Sequence, residues 1–469
     1  VRKIQKEIIE HLEIVDAASE GMGVARLGER VIFVEKALPG DIVTAEIFKR
    51  EKKVWRATLQ TLEVASPYRV EPLCQHFGTC GGCSWQHFSY QGQLKYKEKY
   101  VKDALLRIAG LEKTQVLPII GAQEPFAYRN KIEYSFSTKK WLSSEEIQSG
   151  QSFDKGALGF HVPKYFDKIV DIHACYLQPE EGNAIRNAIR QYAYAKNLSF
   201  YNIKENQGFL RSLILRRAEN RWMLILCTGT QEYELVDELF AYLQRLFPFI
   251  VSFIWIYNPK RNDSYTDLPY HVWRDTQPYL MEYLGKYRFQ ISPLSFFQTH
   301  TRQAQKLYEV AASFIKGQKE VIYDLYCGTG SIGIYVSEKA ERIVGVEYSP
   351  LSVEDAKVNA ALNGLTHLNF LAGDMSKILN RQLFETYGKP DLIITDPPRA
   401  GMAPAVINTL LELNAPEIIY ISCNPATQAR DLFRLKEKYE VIKAQPVDMF
   451  PQTTHVENIV YLKAFSSTS

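Results

Sequence analysis

From Val321 to Leu462, short apolar runs alternate with helix-like stretches, and most of the runs end in residues able to do chemistry. Val321-Ile322-Tyr323-Asp324-Leu325 leads into Tyr326-Cys327-Gly328-Thr329-Gly330-Ser331, and Ile332 to Ala340 then reads as a helix. Ile343-Val344-Gly345-Val346 ends in Glu347, with a helix-like stretch from Ser352 to Leu362. Asn369-Phe370-Leu371 leads to Asp374, and Leu392-Ile393-Ile394-Thr395 ends in Asp396-Pro397-Pro398-Arg399. Ile418-Ile419-Tyr420-Ile421 ends in Ser422-Cys423-Asn424-Pro425. Strands alternating with helices fold into a mostly parallel sheet, and open α/β sheets of this kind place their chemistry beyond the carboxyl ends of the strands.

Each of these loops has a bland reading and a chemical one. Glycines in the first turn let backbone approach a ligand, but the motif lacks a full GxGxxG and also fits a dinucleotide oxidoreductase. An acidic residue at Glu347 suits hydrogen bonds to ribose hydroxyls. Most free cysteines are small buried hydrophobes, whereas Cys423 at a strand end can be a covalent nucleophile. Together the glycine turn, Glu347, Asp374 and Asp396-Pro397-Pro398 resemble the motifs of S-adenosylmethionine (SAM)-dependent methyltransferases. Asp-Pro-Pro also resembles amino-group methyltransferases, but nitrogen methylation needs no thiol. A thiol points to a pyrimidine carbon: addition to C6 of uracil makes C5 enolate-like, C5 takes the methyl group, and a base removes the C5 proton so that the thiol can leave. Glu457, with His455 beside it, is the candidate base. Both also read as surface polar residues before a terminal strand, Ile459-Val460-Tyr461-Leu462.

The whole chain then resembles the RNA 5-methyluridine methyltransferase family. The matching stretches are Ser295-Phe296-Phe297-Gln298, Asp324 to Gly330, Asp396-Pro397-Pro398-Arg399, Ser422-Cys423-Asn424-Pro425 and His455-Val456-Glu457. The resemblance implies Cys423 as nucleophile and Glu457 as base, with Gln298, Tyr326, Ser331, Glu347, Asp374 and Asp396 contacting the methyl donor. Relatives often carry Asn near Asp374. It also implies a Rossmann-like methyltransferase domain.

Cys74, Cys80 and Cys83 form a C-x5-C-x2-C cluster around Gly81-Gly82, and Cys175 lies far downstream. Three clustered thiolates and one distant thiolate suit a four-thiolate metal site, and the spacing leaves iron–sulfur and zinc both open. The resemblance implies a [4Fe–4S] cluster, which the family's ribosomal-RNA branch carries. Tyr176 stands where many relatives have proline. Cys227 and Cys327 have no metal-ligand spacing and read as packing residues.

At 469 residues the chain has room for two or three domains. Residues 1–66 read as short strands separated by turns at Gly21, Gly28 and Pro39-Gly40, a small OB-like β-barrel. With Leu38-Pro39-Gly40-Asp41 it resembles the TRAM RNA-binding domain. Residues 67–290 form an α+β central region holding the metal-site cysteines. It includes a hairpin of Phe209–Arg217 with Arg221–Thr228, and a helix at 91–110 that in the family packs on the catalytic domain. Residues 291–469 are the methyltransferase domain. Arg129-Asn130-Lys131, Arg211, Arg216 and Arg217 are candidates for an RNA path, each also readable as solvated charge.

Lys plus Arg total 56 against 53 for Asp plus Glu, a net charge of +3, so RNA as substrate rests on the chemistry and not on charge. The start is charged, without an apolar signal core and without Met, which points to a trimmed start. Phe247 to Tyr257 is too short to span a bilayer. These features lead to a cytoplasmic monomer with no membrane partner. The expected reaction is 5-methyluridine formation in ribosomal RNA, 23S in particular, on a uridine flipped out of single-stranded or loop RNA. A transfer-RNA uridine is the alternative substrate, and a catalytically silent RNA-binding or ribosome-assembly factor the alternative class.

Overall fold

The structure, a computed structural model, describes residues 7–150 and 156–465; residues 1–6 of the expected barrel lie outside the described residues. Five strands between Glu7 and Val64 close into a barrel. Alternating side chains such as Leu12, Ile14, Ile32, Val34, Val43 and Ala45 fill its interior. Asp41 of the Leu38-Pro39-Gly40-Asp41 turn is fully buried and ties the barrel to the Ser66–Arg69 segment. Its carboxylate accepts N–H bonds from Leu38 (2.6 Å) and Ser66 (2.8 Å) and pairs with Arg69 (2.5 Å).

A seven-stranded sheet forms the centre of the chain, including the expected hairpin, Leu210–Ala218 with Arg221–Thr228, turned at left-handed Glu219. Two of the candidate RNA-path arginines are corrected here. Arg211 is buried and donates to the carbonyls of Asn258, Lys260 and Asn262. Arg216 is buried and donates to the carbonyls of Ser292, Pro293 and Ser295. A guanidinium has five donors in a fixed fork and can satisfy several loop carbonyls at once, so both arginines staple loops instead of facing RNA.

The third unit is an eight-stranded sheet ordered Leu368–Ala372, Ala340–Glu347, Lys319–Leu325, Leu392–Thr395, Glu417–Ser422, Glu457–Ala464, Tyr439–Val447 and Gln115–Val116. Its first five strands run parallel, and Glu457–Ala464 is inserted antiparallel beside Glu417–Ser422. Strand order reverses between Lys319–Leu325 and Leu392–Thr395, which is where open α/β sheets bind ligands. The parallel strands are buried on both faces, so their sequences are continuous apolar runs rather than alternating ones.

The helix Tyr90–Arg107 packs on one face of this sheet: Val101, Ala104 and Leu105 share a core with Tyr323, Ile393 and Tyr439. The helix expected from Ile332 to Ala340 is shorter. It runs Ser331–Tyr335, and a 3₁₀ turn comes next at Ser337–Lys339. The Ser337 carbonyl bonds the His367 ring (3.1 Å) and its hydroxyl meets Tyr287 (3.0 Å), so tertiary partners replace the helical ladder there.

Candidate active site

Three loops build the reactive corner, and each is shaped by its own sequence. After the strand Glu417–Ser422, Asn424 caps the helix Pro425–Leu435. Its side chain accepts the Ala426 N–H (3.2 Å), and Pro425 takes the first helical position, where a missing N–H is harmless. Cys423 is thereby fixed between a strand end and a helix N-terminus. Pro397 and Pro398 end the neighbouring strand because they have no N–H to offer a ladder. The Arg399 carbonyl then accepts from Asn424 Nδ2 (3.1 Å) and Thr427 Oγ1 (3.0 Å), locking the Asp396 loop to the Cys423 loop.

Glu457 arrives from the other direction. Its strand is antiparallel, so its first residues lie at the carboxyl edge of the parallel strands, and Asn458 pairs with Ser422. One residue further out on each chain stand Glu457 and Cys423. On the other side, Thr395 pairs with both Leu325 and Tyr420, which sets Asp396 between the glycine turn and Cys423. The sheet thus gathers Cys423, Asp396 and Glu457 from positions far apart in sequence.

The electrostatics of this corner are unusual. Burial pushes the Asp396 carboxyl up to about 7. Burial and the neighbouring Asp396 charge raise Glu457 well above the carboxylate range, with Arg399 opposing. Glu457 is 4% exposed, and its Oε2 has no hydrogen-bond partner among the described residues. Burial, then the Glu457 and Asp396 charges, push the Cys423 thiol up to about 12, with Arg399 again opposing. Arg399 Nη2 lies 3.3 Å from His455 Nδ1. Burial and Arg399 lower the pKa of His455, so its ring is neutral at pH 7. Two like-charged carboxyls in a dry site cannot both ionise freely, and one that does becomes a strong proton acceptor.

The donor-site candidates continue the row along the same edge. Glu347 pairs in register with Ala372, and its carboxylate accepts N–H bonds from Gly328 (3.1 Å) and Ser349 (2.9 Å), tying the glycine turn to the second strand. Gly328 and Gly330 both have left-handed φ, +54° and +76°. A side chain at Gly330 would press on Phe370 at 2.9 Å, while the space beside Gly328 is open. Tyr326 holds φ +61° without being glycine, a strain of the sort that clusters at binding sites. Ser331 opens the next helix and shares a 2.9 Å hydrogen bond with Tyr308. Asp374 is exposed and caps the helix after the third strand through the Ser376 N–H (3.0 Å). Gln298 is half-buried, and its carbonyl accepts from Asn130 Nδ2 (2.9 Å). From Glu347 to Cys423 the row crosses three strand intervals, about 14 Å. An extended donor with a ribose at one end and a reactive methyl towards the other fits such a row.

The four cysteines line a single cavity of about 380 Å³, with Phe77, Arg129 and Phe160 among the other walls. His173 N–H donates to His76 Nε2 (3.2 Å), so the segments carrying Cys74 and Cys175 touch directly. Gly82 N–H points at Cys80 Sγ (3.4 Å) and Gln86 Nε2 at Cys83 Sγ (3.3 Å). Burial pushes Cys80 and Cys83 up to about 12, and Cys74 and Cys175 upward as well. Among the described residues, no three His, Cys, Asp or Glu side chains close on a single ion. Cys227 and Cys327 lie in the hydrophobic core, as their spacing implied.

Two features of the site escape sequence reasoning. Arg399 reads in the sequence only as part of a motif, although it is the positive charge facing Cys423, Glu457 and His455. Gln93 and Lys97 stand in the buried stripe of the helix Tyr90–Arg107 with Val101, Ala104 and Leu105. Polar residues at i, i+4 spacing within a buried stripe are the signal that would find them.

The fold and the row of side chains define a methyltransferase. The family profile described as tRNA (Uracil-5-)-methyltransferase matches residues 281–465, and that of the TRAM domain matches residues 9–59. An uncharacterized RNA methyltransferase of Bacteroides thetaiotaomicron is 43% identical over 453 residues, covering 95% of this chain and 99% of that protein. One from Porphyromonas gingivalis is 40% identical over 465 residues, covering 96% and 99%. The crystal structure of Pyrococcus abyssi tRNA (uracil-54, C5)-methyltransferase in complex with S-adenosyl-L-homocysteine is 27% identical with a TM-score of 0.73. It covers 98% of this chain and 100% of that one. The chain belongs to the family of SAM-dependent RNA uracil-5 methyltransferases and carries an N-terminal TRAM domain. Among the described residues no helix is long and apolar enough to cross a membrane.

Proposed function

We propose that this protein methylates C5 of uridine in ribosomal RNA, with Cys423 as nucleophile and Glu457 as base. The placement of Cys423, Asp396 and Glu457 at one carboxyl edge beside the glycine turn carries the uridine chemistry, and the four cysteines around one cavity, a feature of the ribosomal-RNA branch that the chain resembles, carry the choice of RNA. Cys423 passes its proton through Asp396 to solvent and adds as a thiolate to C6 of a flipped uracil, which leaves Glu457 ionised for the later step. C5 then takes the methyl group of the sulfonium donor. Glu457 removes the C5 proton, and the sulfur leaves C6 as the double bond re-forms. The donor lies along Glu347, Tyr326 and Asp396, with Gln298, Ser331 and Asp374 at its margins. The division into residues 1–66 for RNA contact, 67–290 for the cysteine site and 291–469 for catalysis is part of the proposal, as are a monomeric state and a cytoplasmic setting.

Transfer RNA is the second reading, and a specific observation favours it. A solved tRNA uracil-54 enzyme matches this chain along nearly its whole length, the barrel included in the matched share. Methyl transfer from labelled SAM to unmodified ribosomal RNA and to unmodified transfer RNA, measured side by side, decides between them. Incorporation into transfer RNA alone overturns the ribosomal reading.

The shared burial of Asp396 and Glu457 sets a pH dependence. Both carboxyls are raised, Asp396 to about 7 and Glu457 well above the carboxylate range, so Glu457 keeps its proton at pH values where a free carboxyl has lost it. The single-turnover rate should therefore still be rising with pH above the usual carboxylate range. A rate that is already flat from about pH 5.5 upward assigns proton removal to a different group.

The cysteine site has room for a polynuclear cluster: four thiols surround one sizeable cavity, and N–H groups point at two of the sulfurs. Cys74, Cys80, Cys83 and Cys175 would hold a [4Fe–4S] cluster, whose contribution is to fasten two distant segments and neutralise thiolates that are costly to ionise alone. Protein prepared without air should contain iron and absorb broadly in the visible. Stoichiometric zinc without iron overturns the assignment.

A further inference from the structure

The turn 448–456 joins the strands Tyr439–Val447 and Glu457–Ala464 and therefore aims Glu457. It is held from outside its own sheet. The Lys97 ammonium, fully buried in the helix Tyr90–Arg107, donates to Asp448 Oδ1 (2.6 Å) and to the Phe450 carbonyl (3.0 Å). Gln93, one turn earlier and equally buried, is a four-bond hub. Its Nε2 shares two hydrogens among the carbonyls of Trp85 (3.1 Å) and Phe88 (2.8 Å) and Gln452 Oε1 (3.0 Å), while its Oε1 accepts the Gln452 N–H (2.9 Å). The Gln452 carbonyl accepts the N–H groups of Ser84 and Trp85 (3.0 Å each), immediately after Cys83. Gln452 holds φ +69°, which a side-chain-bearing residue keeps only when its surroundings impose it.

We infer that Gln93 and Lys97 are positioning residues for the uridine reaction, holding the 448–456 turn so that Glu457 meets the C5 proton. The inference rests on Glu457 being the base. The side-chain bonds of Gln93 and Lys97 go to the 448–456 turn and to Trp85 and Phe88, and none goes to the strands that carry Cys423 and the glycine turn, so loosening them moves the base relative to the nucleophile and the donor. Addition to C6 and methyl transfer then continue while elimination slows. Misplacing a reacting group by about an ångström costs on the order of 100-fold.

Three measurements on the full-length protein test this: turnover on uridine-containing RNA, covalent capture by RNA carrying 5-fluorouridine at the target, and accumulation of methylated RNA–protein adduct. Gln93→Leu should lower turnover about 10- to 100-fold, leave the rate of 5-fluorouridine capture within about threefold, and accumulate the adduct. Gln452→Ala, which deletes one bond of the hub, should show the same split at smaller size and decides the matter if Gln93→Leu does not fold. Unchanged turnover, or capture falling in step with turnover, overturns the positioning role. Glu457→Gln is measured alongside. If it turns over freely, the base assignment fails and the hub proposal with it; if it stalls as an adduct and the hub variants do not, the hub proposal alone is overturned.

Discussion

Cys423→Ala should lose methyl transfer to uridine by roughly 10⁴-fold or more, the scale seen when a covalent nucleophile is deleted. That factor corresponds to about 5.5 kcal/mol or more of barrier. Without a thiolate on C6, C5 has no enolate character, and no other residue of this corner can supply the bond. The side chain is small and half-buried at the end of a capped strand, so its removal leaves the Asn424 cap and the Asp396 loop standing. RNA affinity should accordingly change by no more than about threefold, less than 1 kcal/mol. The check is a paired measurement of RNA binding and single-turnover methylation, with 5-fluorouridine RNA as a covalent probe. Fluorine blocks proton removal at C5, so wild-type protein should be trapped and Cys423→Ala should not. Adduct formation that survives the substitution removes Cys423 from the nucleophile's role and points to a different attacking group.

How much of this site is legible in the sequence depends on where each residue gets its meaning. The catalytic strands can be read because parallel strands buried on both faces are written as unbroken apolar runs such as Ile418-Ile419-Tyr420-Ile421. Cys423, Asp396 and Glu347 can be read because each lies within a residue or two of such a run. The barrel is legible from its alternation and its glycine turns, and it closes as expected among the described residues. The edge strand Gln115–Val116 cannot be read, because two residues carry no periodicity and only pairing with Lys443–Ala444 makes them a strand.

Charge is the least legible property. Arg211 and Arg216 look like RNA-facing cations in sequence but are buried, since their partners are carbonyls of loops 47 and 76 or more residues away. Lys97 sits among Lys95, Glu98, Lys99 and Lys102 and reads as a solvated helix charge, yet its partner is Asp448. Pairings of that range are set by the tertiary fold, and local pattern is silent on them. Removing either member of such a buried pair leaves the other charge uncompensated, at a cost of about 3–5 kcal/mol, which is why Gln93 and Gln452 are better probes of the same turn than Lys97.

Glu457→Gln should separate the steps of the reaction. Glutamine keeps the shape of the side chain at a position only 4% exposed, and it relieves a carboxyl that burial and Asp396 make hard to ionise. The structural cost should therefore be small. What glutamine cannot do is take the C5 proton. Cys423 remains free to add to C6, with Asp396 left as the proton acceptor for the thiol, and C5 remains free to take the methyl group. The product is methylated RNA still bonded to Cys423, because the sulfur leaves only when the C5 proton has gone. Turnover should fall about 10²- to 10⁴-fold, and a denaturation-resistant, methyl-labelled complex should accumulate in its place. The measurement is a gel assay with label in the methyl group, compared with Cys423→Ala, which should form no complex at all. Rapid turnover by Glu457→Gln without a trapped complex would move the base to His455, whose neutral ring lies beside Arg399 at 3.3 Å, or to a water held by Asp396. Trapping without methyl label would instead place the defect before methyl transfer. Absence of any complex, labelled or not, would assign Glu457 to receiving the Cys423 proton, and the pH dependence would then belong to nucleophile formation and not to elimination.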